Sequence, residues 1–198
     1  MKTTKTVGAT NLNTASTGAE RQARRARQRS RAFTLIELLI VLAIVSVLAA
    51  IAVPGLLRAR MTGNETSAIA SLRVTTAAQV AYAAACGNGG FAATFVVLGD
   101  PLTAGGEGFI SSDLGLVTTP QKSGYDFTLG PGVSSTAVQD CKARSTNAGY
   151  YATAVPTGFG TTGTRTFAVN ANGAIWQSST AAIPAEPFAV SATISTVQ

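Results

Sequence analysis

Residues 33–53, FTLIELLIVLAIVSVLAAIAV, contain only three polar side chains, Thr34, Glu37 and Ser46. As a helix rising about 1.5 Å per residue, the run spans roughly 30 Å, the thickness of a bilayer core. A helix in the core of a soluble domain carries a polar stripe, and this run carries none. A secretory signal peptide has an apolar region of about 7–15 residues followed by a small-x-small cleavage site. Here the apolar run is longer and leads into Pro54–Gly55–Leu56–Leu57–Arg58.

The charge is divided at the start of this run. The chain of 198 residues has a formal net charge of +6. Residues 1–32 hold eight bases (Lys2, Lys5, Arg21, Arg24, Arg25, Arg27, Arg29, Arg31) against Glu20, a balance of +7. Residues 33–198 hold seven bases and eight acids, a balance of −1. A nucleic-acid-binding domain spreads its basic residues over a folded surface. A basic block directly before an apolar segment reads instead as a cytoplasmic anchor under the positive-inside rule. No specific nucleic-acid partner is expected.

Pro54 and Gly55 are expected to bend or loosen the helix where the apolar run ends, and Gly63 is a second weak point. Helical character resumes from Asn64 to Ala85, with Ile69, Leu72, Thr76, Val80 and Ala83 near one face and Arg73, Thr75 and Gln79 mostly elsewhere. Gly87–Asn88–Gly89–Gly90 ends it. From Phe91 onward, short apolar runs alternate with Gly, Pro, Asn and Asp clusters. Expected strands are Tyr125–Leu129, Tyr150–Val155, Arg165–Val169 and Ala174–Gln177, the last two joined by the hairpin signal Asn170–Ala171–Asn172–Gly173. Phe91–Ser123 reads as an irregular connection with a short helix near Ser111–Leu116, and the tail after Ile183 shows little pattern. The expected fold class is α+β: a long bent N-terminal helix, transmembrane in its first half, packed on a small antiparallel β-sheet. The segments are a basic stretch 1–32, an apolar helix 33–53, its amphipathic continuation 54–86 and a β-rich head 87–198.

The chain has two cysteines, Cys86 and Cys141, and no histidine. If the head is exported, one disulfide closing a loop of about 55 residues is the natural reading, worth roughly 3–4 kcal/mol in the chain-entropy model. In a reducing compartment the two would be buried thiols. Without histidine there is no Ser-His-Asp or Cys-His arrangement and no His-ligated metal site. No phosphate-binding glycine motif is present, and Asp100, Asp113, Asp126 and Asp140 are scattered. These absences point away from an enzyme, and neither a cofactor nor a metal is expected. Asn64–Glu65–Thr66 matches an N-glycosylation acceptor but reads as an ordinary helix-surface stretch. The aromatics, all at or after residue 33, read as core and packing residues.

The stretch Arg31–Ala32–Phe33–Thr34–Leu35–Ile36–Glu37–Leu38–Leu39 resembles the prepilin cleavage signal of the type IV pilin and type II secretion pseudopilin superfamily. The matching features are Phe33 at the first mature position, the Thr-Leu-Ile-Glu-Leu run, Glu37 at the fifth position and Pro54 at the twenty-second. The family usually has glycine before the cut, where this chain has the small residue Ala32. The resemblance implies removal of leader 1–32 by a prepilin peptidase between Ala32 and Phe33, and N-methylation of Phe33. It implies a single-pass inner-membrane precursor with a cytoplasmic N-terminus. An assembly machinery then draws subunits from the membrane lipid into a helical homo-polymer with the N-terminal helices at its core, a pilus at the cell surface or a pseudopilus in the periplasm.

Insertion scales put a carboxylate in a membrane helix at a cost of about 2.5–3.5 kcal/mol, so Glu37 needs a reason. A positive amino terminus at Phe33, its own or a neighbour's, supplies one. The alternative is a Glu that snorkels to the headgroups. The leading function is a structural subunit of a type IV pilus, the runner-up a type II secretion pseudopilin. A single-span sensor or binding protein that keeps its anchor is a third reading, against which Glu37 argues.

Overall fold

A computed structural model describes residues 33–132 and 138–197. The basic segment 1–32, with Ala32 in it, lies outside the described residues. The chain divides between Ala50 and Ile51 into two units.

In the first unit Thr34 starts helix α1 (Leu35–Ala85). Its side-chain oxygen accepts a hydrogen bond from the Glu37 amide at 3.2 Å, and its carbonyl accepts from Leu38 at 3.2 Å. Among the described residues, every side chain from Leu35 to Ala50 is exposed. Ser46, a polar residue of the apolar run, donates its hydroxyl to the Ala43 carbonyl at 2.9 Å, so it needs no outside partner. The helix is long and apolar enough to cross a membrane.

In the second unit α1 continues unbroken through Pro54, Gly55 and Gly63. From Glu65 onward one face is buried: Glu65, Ala68, Ser71, Leu72, Thr75, Ala78, Gln79 and Tyr82. This is not the face the apolar spacing predicts. Of Ile69, Leu72, Thr76, Val80 and Ala83, only Leu72 is fully buried, and Val80 is 59% exposed. The true face lies about one residue around the helix and carries polar groups, among them Glu65, Thr75, Gln79 and Tyr82, whose side chains find hydrogen-bond partners. Gln79 donates to the Ala92 carbonyl at 3.0 Å and accepts from the Ala92 amide at 2.8 Å. Thr75 returns its hydroxyl to the Ser71 carbonyl at 2.9 Å. The helix ends where Asn88 (φ 52) and Gly89 (φ 86) take left-handed conformations, with Gly89 donating to the Ala83 carbonyl at 3.0 Å.

Among the described residues six strands form one antiparallel sheet whose spatial order is the chain order: β1 (Gln121–Lys122), β2 (Tyr125–Pro131), β3 (Tyr150–Pro156), β4 (Thr166–Asn170), β5 (Ile175–Ser178) and β6 (Ile194–Thr196). Each strand pairs with the one before it. The register aligns Leu129, Ala152, Val169 and Ile175 in one row and Phe127, Ala154 and Phe167 in the next. These rows form the inner face and share a single core with Ala68, Leu72 and Tyr82 of α1. The β4–β5 hairpin closes with Gly173 (φ 78) donating to the Asn170 carbonyl at 2.9 Å.

The connection after α1 is more ordered than its sequence suggests. It contains α2 (Phe95–Gly99), capped by Thr94, and α3 (Ser112–Gly115), and it buries Phe95, Leu98 and Leu114. Gly99, Gly108 and Gly115 meet here backbone to backbone, where a Cβ on any of them would collide with another. The tail also carries structure that was not expected. Residues 179–193 form a strap over the outer face of the sheet, tied by Thr166 Oγ1 to the Ala182 carbonyl at 2.8 Å and by Tyr151 Oη to the Pro184 carbonyl. The strap then returns as β6, an edge strand with one half-buried residue, Ile194, and so without an alternating signal.

Candidate functional site

The residues that carry the expected function fall in two places. Phe33 (81% exposed) and Glu37 stand at the start of α1, where Thr34–Leu35–Ile36–Glu37 has the Thr-x-x-Glu spacing of a capping box. The Thr34 half of that box is formed. It fixes the helix start one turn before Glu37 and places the carboxylate in the first turn, where the helix dipole favours negative charge. Thr34 has a role that the motif alone does not suggest, although its spacing to Glu37 signals it. Pro54 sits inside α1, exposed, at a position where it removes one backbone donor without ending the helix.

The second place is the seam between α1 and the head. Cys86, at the end of α1, is bonded to Cys141, and the Cys141 amide donates to the Cys86 carbonyl at 2.8 Å. Beside it Asp140 is a buried hub. Its carboxylate accepts from Tyr82 Oη at 2.7 Å, Arg144 Nε at 2.7 Å, and the Lys142 and Arg144 amides at 2.8 and 2.7 Å. Burial pushes its carboxyl up, but these hydrogen bonds outweigh burial and hold it well below the usual carboxylate range. Burial and the neighbouring Asp140 push the Tyr82 phenol upward, keeping it a donor. Lys142 and Arg144 also reach Asp100, at 2.7 and 2.8 Å.

A second anchor lies further along the buried face of α1. Glu65 accepts from the Thr164 amide and hydroxyl, both at 2.8 Å, and from Arg165 Nε and Nη2 at 2.8 and 2.6 Å. Burial opposes its ionisation, and the Thr164 and Arg165 hydrogen bonds overcome that, so its carboxyl too is held low. The adjacent Asn64 donates its side-chain amide to the Thr162 carbonyl at 2.9 Å. The amide nitrogen of the glycosylation-like triplet is therefore committed to folding. Nothing in the sequence signals that these acids fasten α1, because the bonds joining helix to head, Tyr82 to Asp140 and Glu65 to Arg165, span 58 and 100 residues.

Among the described residues no group of three or more His, Cys, Asp and Glu side chains is placed to hold a metal ion. What the chain presents is an uncovered apolar helix with one acid in its first turn, attached to a head fastened by a disulfide and two buried carboxylates. Residues 27–53 match the family model for the prokaryotic N-terminal methylation motif. No curated protein and no solved structure matches the chain.

Proposed function

We propose that this chain, whose residues 27–53 carry the prepilin signal of the type IV pilins and pseudopilins, is a structural subunit of a type IV pilus. A prepilin peptidase removes residues 1–32 between Ala32 and Phe33 and methylates the new Phe33 amine. The precursor is held in the inner membrane by residues 33–53, its N-terminus cytoplasmic and its head, 87–198, outside. Assembly machinery then gathers the helices into a filament core, with 54–86 joining core to head.

The observation that carries this reading is the methylation motif running directly into a helix with no side chain covered from Leu35 to Ala50. Such a surface needs a cover, lipid before assembly and copies of itself afterwards. Both covers are dry, so a carboxylate at Glu37 calls for a positive partner there, and the Phe33 amine exists only after cleavage.

N-terminal sequencing and intact-mass measurement of the mature protein test the reading. The expected result is a chain beginning at N-methylated Phe33. An intact Met1, or a cut after Val53, would overturn it. Immunogold labelling of the head then places the subunit. Label along surface fibres is the expected outcome, whereas label confined to the envelope would make the chain a pseudopilin.

A further inference from the structure

Apart from Phe159, which is exposed in the loop after β3, the large aromatics of the head that lie outside the core are Tyr151, Trp176 and Phe188. They meet on the outer face of the sheet, the side away from α1. Trp176 of β5 stacks on Phe188 of the strap at 5.3 Å and 24° between planes, and Tyr151 of β3 lies 6.1 Å from the same ring. Beside them is a cleft of about 430 Å³ between the strap and the β4–β5 hairpin, lined by Asn170, Asn172, Trp176, Glu186 and Phe188 among others. Its size falls within the range of small-ligand sites, roughly 300–1,000 Å³.

The walls are built rather than incidental. Asn170 donates its side-chain amide to Glu186 at 2.6 Å and accepts the Asn172 backbone amide at 3.1 Å. The strap is itself tied down at Ala182 and Pro184, just before Glu186, which Asn170 holds, and Phe188, which stacks on Trp176. One Glu186 oxygen is engaged by Asn170, and a carboxylate has acceptor capacity beyond that single bond. Glu186 takes part in no ion pair among the described residues.

We infer that this cleft is a carbohydrate-binding site, taking one neutral pyranose unit against the Trp176–Phe188 aromatic wall with its hydroxyls on Glu186 and Asn172. A pyranose has an apolar C–H face and an equatorial rim of hydroxyls that both donate and accept. An aromatic wall flanked by a carboxylate and side-chain amides matches both surfaces at once. No lysine or arginine lines the cleft, and its single charge is negative, so phosphate and other anionic ligands are repelled. A quaternary ammonium would use the rings and the carboxylate but would leave the amides without a role. The binding step stands independently of the proposed filament. Only its presentation on a fibre rests on that reading.

Trp176 is the sole tryptophan of the chain and is therefore a built-in reporter. The test is intrinsic fluorescence of the full mature chain in neutral detergent. The chain is titrated through the millimolar range with methyl glucoside, methyl galactoside, methyl mannoside, N-acetylglucosamine and, separately, tetramethylammonium. The expected result is a saturable change in Trp176 emission with at least one sugar, weakened at least tenfold in Asn172→Ala and in Glu186→Gln. Asn172 is exposed, so its substitution leaves the fold intact, and far-ultraviolet circular dichroism checks that for both variants. No saturable change with any sugar overturns the inference, as does a response to tetramethylammonium alone or one that both variants leave unchanged.

Discussion

Two buried carboxylates, Asp140 and Glu65, each accept four hydrogen bonds, and each is held ionised against the pull of burial. Their folded-state affinity for protons is lower than in the unfolded chain. The stability they contribute is therefore fully present above the ordinary carboxylate range near pH 4 and is lost as pH falls through and below it. The detergent-solubilised protein should show a thermal midpoint that is flat from neutrality to about pH 5 and then drops steeply with acid. Asp140→Asn should lower stability at neutral pH by about 2–4 kcal/mol, since a neutral amide cannot satisfy four donors, and should make the acid drop shallower. An acid limb of full steepness in the Asp140→Asn, Glu65→Gln double variant would show that other groups set it. Neither residue betrays its role in sequence. Each is a single acid among scattered ones; Lys142 and Arg144 are near Asp140 in the chain, but its link to α1 through Tyr82, like the link of Glu65 to Arg165, is delivered only by folding.

At the scale of elements, α1 shows how far apolar spacing can be trusted. The helix, its extent and its glycine stop are legible, because the uninterrupted apolar run and Gly87–Gly90 are local signals. The face it buries is not, because Gln79, Thr75 and Glu65 are polar and the spacing rule discards them. Gln79 pairs with both backbone groups of Ala92 as an adjoining strand would, an arrangement encoded by the position of Ala92 and not by any periodicity. Gln79→Leu, which would make the helix more amphipathic on paper, should destabilise the head by about 2–3 kcal/mol by leaving two buried backbone groups unpaired. Chemical denaturation checks this, and a neutral or stabilising effect would contradict the pairing. The four central strands and the β4–β5 hairpin were readable from alternation and from Asn170–Gly173. The edge strands β1 and β6 were not, since two- and three-residue edges bury too little to leave a pattern. The candidate site divides the same way. The Phe33–Glu37 stretch is a sequence motif and legible as one, whereas the outer-face cleft depends on the strap folding back. Opening the Cys86–Cys141 bond with a mild reductant should lower the stability of the head by about 4 kcal/mol in the chain-entropy model, read as a drop in the denaturation midpoint.

The whole molecule joins a helix whose first half is covered by nothing among the described residues to a head with its own buried core, fastened to the helix by Asp140 and Glu65. That division predicts separable phenotypes. Glu37→Val should leave membrane insertion and cleavage intact, seen as the same processed band on a gel, while filament yield from sheared cells falls at least tenfold. Normal yield from this variant would remove Glu37 from assembly. Head variants such as Gln79→Leu should instead reduce the amount of processed subunit in the membrane, because an unstable head is degraded before it can be used. The sheet has one more consequence, concerning time rather than space. Because its strands lie side by side in the order they are encoded, a head threaded amino end first across a bilayer finds each strand's mate already delivered. The one bare edge at any moment belongs to the newest strand, and the next strand in the chain is the one that covers it. A fold of this kind can be knitted during translocation, row upon row, and the last stitch is β6, laid against β5 once the strap has crossed the outer face.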